Sequence, residues 1–168
     1  MHSSSLSLLN LANYDKCGGG KNGLPEREQS ILTLAADAFD SRNAAMMAAI
    51  WSHESGLQLT PGGDAGPAQL TTWWSTNQPN LIVGNAYGSW NGRTNQPFDG
   101  DVRDNIATLR NIYYFLRERH GSDYQAAYWY GPGDRDNPSN AAHNREEYAK
   151  DVMGRYDKLK PYFDCLKQ

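Results

Sequence analysis

The chain has 168 residues, 39% of them hydrophobic and 21% charged, with a net charge of −3 and a pI near 5.8. That size and balance fit one soluble domain with a real core. They exclude a chain built around a basic, nucleic-acid-binding field, and no stretch reaches the length of a transmembrane helix.

The opening, Met1-His2-Ser3-Ser4-Ser5, lacks the basic and apolar regions of an intact signal peptide. Residues 1–24 read as an irregular N-terminal extension punctuated by Gly18-Gly19-Gly20 and Gly23. The domain proper is expected over 25–168. Pro25 suits a first helical position, and Ile31, Leu34, Ala35, Ala38 and Phe39 recur on one helical face. A second helix carries Met46, Ala49, Ile50 and His53 at the same spacing and ends near Gly56. Residues 57–100, rich in Gly, Pro, Asn, Thr and Trp, read as a loop-rich segment with short helical or strand pieces. Asp101 is placed to cap a third long helix with Val102, Ile106, Leu109, Tyr113 and Leu116 inward. Gly121-Ser122 stops it and starts a fourth helix to about Tyr130, which Gly131-Pro132-Gly133 breaks. A final helix from about Asn144 to Leu159 presents Tyr148, Val152, Tyr156 and Leu159. The class is mainly α. The absence of a long apolar heptad pattern points to a monomer.

Two cysteines, Cys17 and Cys165, lie near opposite ends of the chain. They are candidates for one disulfide, which would suit an exported protein; two free thiols would suit a reducing compartment. The aromatic set is weighted to amphipathic rings, 5 Trp and 10 Tyr against 4 Phe. Such rings serve both in cores and along half-wet, sugar-binding grooves.

Glu54 is the main candidate for chemistry. It closes the apolar run from Ala44 to His53, where a carboxylate is poorly solvated and its neutral form is favoured. A carboxyl protonated near neutral pH can donate a proton to a leaving sugar oxygen. Taken alone, an acid at a helix end is more often a solvated surface group.

Four segments read together carry more. They are Ile50-Trp51-Ser52-His53-Glu54-Ser55-Gly56, Gly66-Pro67-Ala68-Gln69-Leu70, Ala127-Tyr128-Trp129-Tyr130-Gly131-Pro132-Gly133 and Tyr148-Ala149-Lys150-Asp151-Val152. Their order and spacing resemble the lysozyme-like family of soluble lytic transglycosylases and goose-type lysozymes. Gly88-Ser89-Trp90-Asn91-Gly92 and the 148–152 segment are more like the goose-type branch.

The resemblance implies a lysozyme-like domain that cleaves the β-1,4 bond between N-acetylmuramic acid and N-acetylglucosamine in peptidoglycan. Glu54 would be the general acid. No cofactor or metal is implied, and a secreted or periplasmic location follows from the substrate. Asp64, in Gly62-Gly63-Asp64-Ala65-Gly66, is the candidate second acid that would hold a water; a turn-forming Asp is the alternative. Segment 71–75, where the goose-type branch often has another Asp, offers none. The resemblance also assigns substrate contacts to Ser55 and Gln69. Tyr128 takes the place of the family tyrosine that approaches the catalytic Glu, and Tyr148 supports the site from behind.

Trp129-Tyr130 replaces the family's Asn-Ala, and Pro67-Ala68 replaces Leu-Met. Trp129 lacks an amide but could stack on a sugar. The alternative function is a catalytically silent domain that binds peptidoglycan or chitooligosaccharides. A zincin reading of His53-Glu54 fails because the position four after His53 is Leu57. His2, His120 and His143 are scattered, and no Cys/His cluster forms a metal site.

Overall fold

A computed structural model describes residues 43–58, 66–88, 90, 100–131 and 138–166. The order is α1 (Ala44–Ser55), α2 (Thr72–Asn77), a single 3-10 turn (Pro79–Leu81), α3 (Gly100–His120), α4 (Asp123–Tyr130) and α5 (Pro138–Leu166). Among the described residues there is no strand, and no helix is long and apolar enough to cross a membrane. The expected extension at 1–24, the helix after Pro25, Cys17 and Asp64 lie outside the described residues.

The helix α1 is the axis of the fold. Every residue from Ala44 to Trp51 is buried, so this helix has no solvent face. Good helix formers such as Ala and Met sustain it. Gly56 ends it in the left-handed conformation at φ 65°, its N–H bonded to Ser52 O at 2.8 Å. Because burial stops at Trp51 and the helix stops at Ser55, the Ser52–Ser55 turn is the first part of α1 to emerge from the core.

Among the described helices, α5 and α3 pack against α1, and α4 packs on α3 and α5. The expected inward face of α3 is buried from Val102 through Leu116, and its last turn carries Arg117, Arg119 and His120 at the negative end of the helix dipole. Ser122 caps α4 by accepting from Gln125 N at 3.1 Å. The longest packing seam joins α1 to α5, where Tyr148, Ala149, Val152, Leu159, Tyr162 and Phe163 are buried.

This last helix starts before the expected Asn144 and runs past Leu159. Pro138 is at its first position, where a missing N–H is harmless, and Pro161 lies inside it with its ring in solvent. Cys165 is half-buried near its end, and no described cysteine is free.

Buried side chains of α3 fasten the loop-rich segment: Thr108 Oγ1 accepts from Val83 N at 2.9 Å, and Asn105 makes a pair of bonds. Asn105 on α3 accepts from Ala68 N and donates to Ala86 O, both at 2.9 Å. It is fully buried, so it substitutes for two backbone partners that the irregular chain cannot supply. Gly66 packs against it at φ +70°, where a Cβ would meet Asn105 Nδ2 at 2.5 Å and Trp90 Cε2 at 2.8 Å.

Candidate functional site

Where α1 emerges, the α1–α5 seam opens into a groove of about 1160 Å³. One end is lined by His53, Glu54, Gln69, Tyr130, Gly131 and Tyr148. The other is formed by the α2 tryptophans, the end of α3, Trp129 and Arg145. The aromatic residues divide as a groove requires: Trp51, Trp90, Tyr113 and Tyr162 fill the core, while Trp73 and Trp129 remain 42% and 41% exposed.

Glu54 is half-buried, and the Tyr148 hydroxyl donates to its Oε2 at 2.5 Å. Burial raises the Glu54 pKa above the ordinary carboxylate value. The Tyr148 hydrogen bond and the nearby His53 pull it down without cancelling the rise. Its place in the last turn of α1, at the negative end of the helix dipole, adds to the preference for a neutral carboxyl. With Oε2 engaged, Oε1 is the oxygen left to carry a transferable proton toward the groove.

Tyr148 is itself held on three sides. His53 meets its ring edge-on at a centroid distance of 4.3 Å, and Tyr130 stacks on it at 6.3 Å. Gly131 supplies the third contact, since a Cβ there would lie 2.7 Å from Tyr148 Cγ. Gly131 has φ −62°, so the need for glycine is steric rather than conformational. Gly131→Ala is therefore expected to push the Tyr148 ring off Glu54. Urea denaturation should show a loss of roughly 1–3 kcal/mol, as for other overpacked sites, with a parallel fall in whatever turnover depends on Glu54.

Behind the groove, His53 Nδ1 is bonded to Asp151 Oδ2 at 2.5 Å. Arg155 donates to the same Asp151 oxygen at 2.6 Å and to Ser52 Oγ at 2.8 Å. Burial works against the Asp151 charge, but the hydrogen bonds from His53 and Arg155 outweigh it and hold the carboxyl below its usual range. The network ties α5 to the last turn of α1.

Gln69 reaches the groove from a strained backbone, with φ +50° for a non-glycine residue. Its Nε2 donates to Gly66 O at 2.8 Å, which leaves the amide carbonyl as the end able to meet a ligand N–H. Ser55 does not line the groove. Its hydroxyl donates to Pro67 O at 2.7 Å, so it pins the 66–69 turn to the end of α1.

Tyr128 also lies off the groove wall, its ring against Tyr124 and Trp129. The hydroxyl on Glu54 comes from Tyr148, and the α4 tyrosine that faces the groove is Tyr130, whose hydroxyl donates to Ala68 O at 2.8 Å. Positions 128 and 130 diverge by roughly 200° around a helix, so only one of them can face Tyr148. Trp129 lines the groove with His120 and Arg145 against its ring. Among the described lining residues Glu54 is the sole carboxylate.

His53, Tyr130 and Asp151 are the site residues that sequence reasoning passed over. A histidine next to Glu54 and a tyrosine beside the Gly131 break were the available signals. No group of His, Cys, Asp or Glu able to hold a metal occurs among the described residues. No protein-family model matches the chain, and neither curated proteins nor solved structures give a match.

Proposed function

We propose that this groove binds a β-1,4-linked peptidoglycan strand and that Glu54 protonates the glycosidic oxygen leaving N-acetylmuramic acid, within a lysozyme-like domain. The observation that carries the reading is the state of Glu54. A half-buried carboxyl with a raised pKa opens onto a long aromatic groove, with one oxygen fixed by Tyr148. The resemblance of the four segments in chain order gives independent support.

Protonation by Glu54 drives the sugar toward an oxocarbenium-like state, and the deprotonated carboxylate then serves as base. Two nucleophiles are open to it. A water held by a second acid gives an ordinary reducing end, whereas the muramoyl 6-hydroxyl attacking its own C1 gives a 1,6-anhydro end without consuming water. Asp64 is the candidate holder of that water.

Mass spectrometry of muropeptides released from purified sacculi separates these outcomes. Reducing ends, abolished in Asp64→Asn, identify hydrolysis. Anhydro ends that survive Asp64→Asn identify transglycosylation. Release of neither product, with glycan still bound, would reject catalysis and leave the binding domain.

A further inference from the structure

The proton-transfer chemistry uses only one end of the groove. At the other end, Trp129 packs against a histidine and an arginine. His120 stacks on its ring at 4.9 Å and 17°, and the Arg145 guanidinium carbon lies 4.9 Å from the ring centroid. Arg119 lines the same end, with its guanidinium 5.8 Å from the Phe115 ring. A chain of net charge −3 thus lines this end of its groove with two arginines, and no described lining acid other than Glu54 answers them.

Arg145 carries the decisive feature. Its Nη1 is buried and has no hydrogen-bond partner. A buried guanidinium N–H without an acceptor is costly, and such groups are normally satisfied. Trp129 holds the guanidinium against its ring, and this planar fork matches a carboxylate by two parallel hydrogen bonds. Arg145 also precedes Tyr148 by three positions on α5, about 4.5 Å along the helix axis.

We propose that Arg145, backed by Trp129 and flanked by Arg119 and His120, is a carboxylate-binding subsite. It selects glycan strands bearing an acidic substituent over neutral strands of the same linkage. The inference rests on the glycan-cleaving reading of the groove and adds to it a residue that senses charge on the ligand. In peptidoglycan that carboxylate comes either from the lactyl ether of a stem-free muramoyl residue or from the peptide stem.

Isothermal titration calorimetry on Glu54→Gln, which stops turnover, tests the subsite with three ligands of equal glycan length. They are neutral β-1,4-linked N-acetylglucosamine oligomers, stem-free peptidoglycan fragments and stem-bearing fragments. With Arg145 in place, at least one acidic ligand should bind about tenfold more tightly than the neutral oligomer, and added salt should shrink that margin. Tightest binding of stem-free fragments assigns the lactyl carboxylate, and tightest binding of stem-bearing fragments assigns the peptide.

Adding Arg145→Gln should erase the preference, read as the ratio of acidic to neutral affinity, while an unchanged thermal-unfolding midpoint reports that the groove remains folded. Arg145→Lys should keep a reduced preference. The subsite is overturned if the acidic ligands gain nothing over the neutral one, or if the preference survives Arg145→Gln. Failure of all three ligands to bind would instead sink the glycan reading itself, and the subsite with it.

Discussion

Glu54→Gln is expected to lower the clearing of a cell-wall suspension by about 10²–10⁴-fold, the range that a positioned general acid contributes. Gln preserves the size and planarity of the side chain and can still accept from the Tyr148 hydroxyl, but it has no proton to give. The groove and its affinity for glycan should therefore survive. Equal, negligible clearing by wild type and variant would reject the enzyme and favour the binding domain.

The same substitution has a stability signature with a definite sign. Burial raises the folded-state pKa of Glu54, so the folded protein favours the protonated carboxyl. That preference carries no penalty below the ordinary glutamate range, where folded and unfolded chains are both protonated. As pH rises through the raised folded value, the charged form must be accommodated in the site and stability falls. Gln has no such fall. The variant should gain stability relative to wild type as pH rises, and the gap should close below the ordinary glutamate range. A thermal-unfolding series across pH reads this directly. A constant offset at every pH would mean that Glu54 is not a buried, neutral-preferring acid.

The sequence was most legible where one residue's role follows from its own helix. The apolar run before Glu54 had to be a buried helix, and Gly56 had to end it, so the acid emerges at the core boundary. The inward face of α3 and the break at Gly121-Ser122 were equally readable, because periodicity and turn signals are local. Asp101, however, is not the expected cap: α3 already includes Gly100, and Asp101 sits in its first turn accepting from Asn85 Nδ2. The last helix was underestimated at both ends, since Pro138 and Pro161 look like breaks although one occupies a permitted first position and the other faces solvent.

The partners of Glu54 were harder. His53 and Asp151 are 98 positions apart, and Tyr148 reaches Glu54 across 94. Only the α1–α5 packing brings them together. Which α4 tyrosine faces the groove depends on the rotation of that helix, and the close approach of Gly131 to Tyr148 that accompanies it is a tertiary contact with no local trace. Likewise Ser55 and Gln69 stand in neighbouring segments, but the first fastens the 66–69 turn while the second lines the groove, a division set by tertiary packing.

Tyr148→Phe should move the alkaline limb of the pH profile of kcat/KM to higher pH and lower its plateau by roughly 10- to 100-fold. The sign follows from the direction of the hydrogen bond. The hydroxyl donates to Oε2 and so stabilises the carboxylate, and it is the larger of the two influences that pull the Glu54 pKa down against burial. Its loss leaves burial less opposed, the pKa rises further, and the acid form persists to higher pH. Tyr148 remains a neutral donor throughout the working range, because its own burial and the charge of Glu54 push its pKa well above the ordinary tyrosine value. The lower plateau has a separate cause. Without the hydroxyl the carboxyl is free to rotate, and a misplacement of about 1 Å at a reacting group can cost about 100-fold. A purely structural role for Tyr148 would lower activity equally at every pH. A downward shift of the limb would contradict the hydrogen-bond direction, and an unshifted limb would mean that another group sets the Glu54 proton affinity.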